Sequence, residues 1–147
     1  MDPWAGDKVL VRRHGETGDG MEVIRAKDSE ARRGERFTGT AWVEAVLKAQ
    51  RPAGMRVFLV FFEPGARTHW HAHEGEQTLY ILSGKGRVQK SGEPQTEISP
   101  GDVVYIAPGE RHWHGAGPRN SMIHFAVTTG GETAWMEEVR AEEYARD

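Results

Sequence analysis

The sequence of 147 residues contains no cysteine. Disulfides and thiolate ligands are therefore excluded, and any bound metal must be held by nitrogen and oxygen donors. Charge of one sign is not in excess either: 19 Lys and Arg stand against 22 Asp and Glu, for a formal net charge of −3. Without a basic footprint, nucleic acid is not an expected partner. No apolar run reaches the roughly 18 residues of a membrane span, so no membrane association is expected. The opening Met1-Asp2-Pro3-Trp4 lacks the basic and apolar regions of a secretory leader. These absences together lead us to expect a soluble, cytoplasmic protein. The length fits one domain, and folding at this size buries about 68–70% of the unfolded surface, enough for a single core.

Glycine, by contrast, is plentiful, with 18 residues. Residues 1–36 are polar and punctuated by Gly15, Gly18, Gly20 and Gly34, and read as an irregular N-terminal arm in which only Met21 to Ala26 has strand character. Such an arm could also add an edge strand to a dimer partner. From residue 37 the chain reads as one β domain extending to residue 147. Ala41 to Lys48 fits strand or helix by periodicity alone. Arg56 to Glu63 is β-rich and apolar on both faces, as a buried strand requires. Further short strands are expected at Thr68 to His73, Thr78 to Leu82, Arg87 to Lys90, Gln95 to Ile98, Val103 to Ile106 and Met122 to Thr128, divided by Gly and Pro turns. That spacing argues an antiparallel barrel or sandwich. Ala134 to Val139 would lie outside it, followed by a short helical end at Glu142 to Arg146.

Six of the seven histidines fall between residues 69 and 124. His69, His71 and His73 occur at every second position, with Gln77 after a Gly-containing break. On a strand, residues two apart share a face, whereas on a helix the three imidazoles would diverge. Imidazole is the commonest metal-binding side chain, and several on one face beside an amide oxygen suit a divalent transition metal. The stretch therefore reads as half of a metal site. A second half follows in Gly101 to His114, where an apolar strand runs into Pro108-Gly109 and then His112.

The two halves together resemble the cupin family. The pattern is Gly65, five residues, His71-x-His73, three residues, Gln77, six residues, Gly84, and later Gly101, Pro108-Gly109, two residues and His112. Gln77 stands where the family usually has Glu, keeping an oxygen ligand without its charge. Ala107 occupies the usual place of the second motif's proline. The resemblance implies an all-β fold, a single jelly-roll (double-stranded β-helix) barrel, which also favours strand at Ala41 to Lys48. It implies one divalent metal held by His71, His73, Gln77 and His112. It further implies a homodimer built through outer strands and the N-terminal arm.

His69 has two readings. It is a pocket wall or a hydrogen-bond donor behind the ligands, or it is a fifth ligand, since alternation aims it inward with His71 and His73. With His69 included, the set resembles the zinc-binding cupin cyclases of aromatic polyketide pathways, whose ligands carried over are His69, His71, His73, Gln77 and His112. Phe37-Thr38-Gly39-Thr40 and the stretch from Pro108 to Ala116 also resemble a small-cupin group that includes hydroxynitrile lyases. Alternation places His124 and Ala126 on the face opposite Ile123 and Phe125; if that face is inward, His124 is either a general base or a satisfied core histidine. His114 shares the His112 face and is expected behind the ligands or at the surface. Trp70 and Trp113 should point away from the metal. Phe58, Val60 and Phe62 share a face, and with Leu79 and Ile81 they are the expected pocket walls, suiting a flat or hydrophobic organic ligand.

The leading expectation is a metal-dependent polyketide cyclase. The ion, zinc first and manganese, iron or nickel otherwise, would polarise a carbonyl while His124 or a metal-bound hydroxide removes an α-proton from a small aromatic or polyketide substrate. The alternatives are a carbon–carbon lyase of the hydroxynitrile lyase type, which a small pocket would favour, an oxygenase, and a non-catalytic small-molecule-binding barrel.

Overall fold

The structure, a computed structural model, describes residues 20–146. Residues 1–19 of the expected arm lie outside the described residues. Within the rest of the arm, Met21 to Ala26 is not a strand; it leads into a short 3-10 turn at Ala26–Asp28. Apolar spacing alone gives that segment strand character, but among the described residues no strand pairs with it. The arm's strand is instead β1 (Ala31–Arg33), which pairs antiparallel with β3 of the same chain.

Twelve further strands follow. They are β2 (Phe37–Thr38), β3 (Ala41–Leu47), β4 (Arg56–Phe62), β5 (Arg67–Thr68), β6 (His71–His73), β7 (Gln77–Gly84) and β8 (Gly86–Lys90), then β9 (Thr96–Ile98), β10 (Val103–Ile106), β11 (His112–Ala116), β12 (Met122–Thr128) and β13 (Thr133–Trp135). A short helix α1 (Ala141–Tyr144) ends the described chain. One sheet runs β1-β3-β4-β12-β7-β10. In the other, β11 is central, with β5 and β6 along one edge and β8 along the other; β2 and β13 extend the first side and β9 the second. All pairings are antiparallel. Among the described residues no helix is long and apolar enough to cross a membrane.

Alternation sets the interior. Along β12, Met122, His124, Ala126 and Thr128 are buried while Ile123, Phe125 and Val127 are half-buried. On β4 and β7 the buried residues are Phe58, Val60, Phe62 and Gln77, Leu79, Ile81. These apolar side chains join Ile98, Ile106 and Met122 in the main core between the sheets. Strand β11 breaks the alternation, with all five residues buried. Its outer face is covered by a second cluster of Trp70, Trp113, Val139 and Tyr144, so both tryptophans do point away from the imidazoles. Two glycines permit close approaches that the fold requires. A Cβ on Gly84, which has φ +81°, would run into the Ser121 carbonyl, and one on Gly75 would strike the backbone of Thr129. Gly75 thereby lets the turn before Gln77 pass against the end of β12.

Candidate metal centre and its cavity

Three short strands bring the histidines together. His71 and His73 lie on β6, and His112, at the start of β11, is the cross-strand partner of His71. A ligand nitrogen from each of His71, His73 and His112 lies within 4.8 Å of the others, and all three residues are buried. Gln77 opens β7, where Thr128 of β12 is its register partner. Its side-chain amide donates to Thr128 Oγ1 at 2.9 Å, which turns Oε1 to within 3.2 Å of His112 Nε2.

The hydrogen bonds behind these rings fix what the inner atoms can do. His71 Nδ1 donates to the His69 carbonyl and His112 Nδ1 to the Glu110 carbonyl, each at 2.9 Å. A carbonyl only accepts, so each Nδ1 carries the proton and each Nε2 presents a lone pair. His112 Nε2 and Gln77 Oε1 are then two acceptors 3.2 Å apart with no proton between them, an arrangement that calls for a cation. His73 Nδ1 is tied to Thr133 Oγ1 at 3.0 Å, while its buried Nε2 has no hydrogen-bond partner. Orphaned lone pairs, outer nitrogens held in the ligating tautomer and an amide oxygen aimed by a hydroxyl are what a divalent ion requires. Burial holds all three imidazoles neutral: His73 is pushed down to about 3 and His112 to about 4, and His71 falls well below the usual histidine range.

His69 does not join this set. Its Nε2 is buried without a hydrogen-bond partner, 3.7 Å from a carboxylate oxygen of Glu138. The reason is a register step. Arg67 pairs with Gly115, but His71 pairs with His112, so the chain inserts one extra residue opposite β11 between β5 and β6. Such a bulge re-aims the side chains beyond it. Thr68 and His71 both line the interior cavity, whereas Arg67 bonds the Val139 carbonyl on the outer side. Unbroken alternation over Thr68 to His73 is therefore corrected to two strands, and inward aim no longer follows for His69.

A second pair of imidazoles stands beside the first cluster. His114 Nδ1 and His124 Nε2 are 3.1 Å apart, and both residues are buried, at 4% and 0% exposure. The His114 ring lies 5.2 Å from that of His71 and stacks on His112 at 5.6 Å. Of the two expectations for His114, surface exposure is overturned. The opposite nitrogens, His114 Nε2 and His124 Nδ1, are buried without partners. Burial lowers both groups, His124 to about 4. Phe62 packs its ring 5.1 Å from that of His124.

His71, His73, His114 and His124 share one cavity, which His112 does not line. Phe58 and Val60 wall it with Phe37, Trp135 and Ala126, and His71, His73, Gln77, His114 and His124 line it. Phe62, Leu79 and Ile81, also expected as walls, belong to the packed core and do not line it. Space between atoms out to the open mouth amounts to about 380 Å³, but the room left for the centre of a water-sized body is about 20 Å³, where one water needs roughly 10–15 Å³. Sequence reasoning missed Thr128, Thr133 and Trp135. Trp135 lies against His71, with centroids 4.6 Å apart and planes at 31°.

Comparison with known proteins agrees with this geometry. The Cupin domain family matches residues 58–123. An (R)-mandelonitrile lyase from Granulicella tundricola is 43% identical over 131 residues, covering 86% of this chain and all of the relative. The chain belongs to the cupin family. A cupin-like protein from Thermotoga maritima has a similar structure, with TM-score 0.74 and 41% identity over 76% of this cupin and 89% of that chain. The polyketide cyclase RemF from Streptomyces resistomycificus superposes with TM-score 0.64 at 21% identity, over 85% of this cupin and 91% of that chain, a likeness of fold.

Proposed function

We propose that this cupin is a metal-dependent carbon–carbon lyase of the hydroxynitrile lyase type, cleaving or forming the bond between a carbinol carbon and cyanide in a small substrate. The observation that carries the reading is the His114–His124 pair buried beside the three-histidine cluster in a narrow cavity. The 43% identity to a mandelonitrile lyase over that relative's whole length supports it. One observation weighs against a cyclase: the fifth ligand on which that reading rested, His69, stands outside the cluster.

His71, His73, His112 and Gln77 would hold the ion. All four are neutral donors, so a bound divalent ion keeps its full charge and supplies Lewis acidity toward a substrate oxygen. That role needs no redox change, and zinc or manganese fills it. The chain's own chemistry lies in the imidazole pair. One proton is shared between His114 Nδ1 and His124 Nε2. When His114 donates it, His114 Nε2 is a free base inside the cavity, and a proton taken up there leaves an imidazolium that His124 stabilises by accepting the inner hydrogen bond. In the cleavage direction the pair takes the hydroxyl proton of the hydroxynitrile. The carbon–cyanide electrons leave with the cyanide, the carbonyl forms, and the pair returns the proton to give hydrogen cyanide. Phe58, Val60 and Phe37 exclude water and orient the organic group.

The test is to load purified protein with zinc or manganese, supply mandelonitrile, and follow benzaldehyde release with the enantiomer consumed. Metal-dependent, stereoselective release is the expected result. Absence of release with either metal, from mandelonitrile and from smaller hydroxynitriles, would remove the lyase reading.

A further inference from the structure

Strand β13 is three residues long and, among the described residues, pairs with β6 alone, at the end of its sheet. Its register is matched to the metal-facing histidines. Thr133 stands opposite His73 and Trp135 opposite His71, while His71 is also the cross-strand partner of His112. Trp135, His71 and His112 therefore form one row across β13, β6 and β11, with ring centroids at successive separations of 4.6 and 4.2 Å. Two residues along, the Thr133 hydroxyl meets His73 Nδ1 at 3.0 Å. Both histidines of β6 are thus supported from β13, one by a hydroxyl and the other by an indole. Thr133 and Trp135 also line the cavity.

An indole held against a ligand imidazole does more than fill space. The His69 carbonyl fixes one edge of the His71 ring through Nδ1, and Trp135 covers its face with planes 31° apart. A ligating imidazole gives up electron density to the cation, so its ring becomes more positive. Indole is the aromatic face that attracts positive charge most strongly, and the contact is therefore stronger with an ion bound than without one. We infer that Trp135 is a positioning residue that couples occupancy of the His71, His73 and His112 centre to the docking of β13. The stack holds the His71 ring in its ligating orientation, and a loaded centre in turn clamps β13 against β6, since coupling of this kind is reciprocal. A three-residue edge strand opens locally well before the whole fold does, and with β13 open the cavity loses its Thr133 and Trp135 wall. Metal loading thereby completes the cavity as well as the centre. The inference shares with the lyase reading the metal centre and not the reaction.

Zinc titration against a chromophoric chelator, on the wild type, Trp135→Leu and Trp135→Phe, tests the stack. Trp135→Leu should weaken zinc by about tenfold or more, within the range for groups that support a ligand. Trp135→Phe should recover most of that loss, because it restores an aromatic face. Trp42→Leu, at an exposed position of β3, should bind zinc like the wild type. Hydrogen exchange reads the other direction without any substitution: zinc should slow the amides of Thr133–Trp135 in the wild type by a comparable factor, and this protection should disappear in Trp135→Leu. Unchanged zinc affinity in Trp135→Leu, an equal loss in Trp135→Leu and Trp135→Phe, or exchange at β13 indifferent to zinc in the wild type would each overturn the inference. The two readings fail separately. Zinc weakened by Trp135→Leu and rescued by Trp135→Phe, without cyanide release from any hydroxynitrile, keeps the coupling and removes the lyase; zinc-dependent cyanide release with β13 indifferent to zinc does the reverse.

Discussion

His114 Nδ1 and His124 Nε2 face each other at 3.1 Å in the barrel interior, and the outer nitrogen of each ring has no partner. Two histidines ten residues apart thus form one proton-holding unit, delivered by strands of opposite sheets. His124→Gln should keep the metal, since His124 is outside the ligand cluster, and lower turnover by about 10²–10⁴, the usual range for general acid–base catalysis. Metal analysis and single-turnover rates on the same preparation check both halves. An unchanged rate would leave His124 a packing residue.

The amide of Gln77 is held by one hydroxyl, Thr128 Oγ1. Thr128→Val keeps the shape and removes the acceptor. The buried amide is then unsatisfied, costing about 1–3 kcal/mol, and Gln77 Oε1 loses its orientation. Groups in this supporting position typically change metal affinity about 10–100-fold. Competition with a chelator should therefore show weaker metal retention in Thr128→Val, while His71→Ala or His112→Ala should lose the metal outright.

Acid should destabilise the metal-free protein from an unusually high pH. The folded-state values of His73, His112 and His124 are lowered from the ordinary 6.5 to about 3, 4 and 4. Below pH 6.5 the unfolded chain takes up these protons while the folded chain does not, so their stabilisation is complete above pH 6.5 and is lost as pH falls through the folded values. Each such site adds a slope of up to about 1.4 kcal/mol per pH unit. Urea unfolding at a series of pH values between 7 and 4 should show a steep decline, flattened in His124→Phe. A flat profile over that window would mean the imidazoles are not desolvated.

Much of the site could be read in the sequence because its geometry is local. His71 and His73 share a face by strand alternation, and Gln77 and His112 follow turn signals at Gly75 and Pro108-Gly109. What could not be read depends on partners across strands. The bulge that separates His69 from His71 exists only relative to β11. Thr128 and Thr133 become supports for Gln77 and His73 through pairing registers spanning more than fifty residues. A threonine in a strand carries no mark of such a role. Likewise, Met21 to Ala26 has the composition of a strand but no strand partner among the described residues, whereas the charged Ala31–Arg33 has β3 beside it. Alternation gives His114 and His124 each a face of its own strand, but their contact depends on the closure of two sheets.

Cavity size should control which substrates are accepted. Phe58 is buried at 9% exposure and lines the cavity. Phe58→Ala should cost about 3 kcal/mol, the low end for a core phenylalanine because the side chain already borders empty space. It should also raise kcat/KM for bulky aromatic hydroxynitriles relative to small aliphatic ones. Denaturant unfolding and a substrate series on the metal-loaded variant would show both effects. An unaltered substrate ranking would place the limiting constriction elsewhere in the cavity.

The sharpest distinction between lyase and cyclase lies at His69. With one residue inserted between β5 and β6 opposite β11, its imidazole meets Glu138 rather than the cluster. Its carbonyl still matters, because it accepts the proton on His71 Nδ1, and a side-chain substitution leaves that bond intact. His69→Ala should therefore retain full metal stoichiometry and an unchanged number of light-atom neighbours by X-ray absorption, while losing only the contact with Glu138. A fall of one neighbour would mean that the segment around the bulge swings His69 inward when metal is bound. The five-ligand set would then be restored, one fewer position would be open to substrate, and the cyclase reading would move ahead of the lyase.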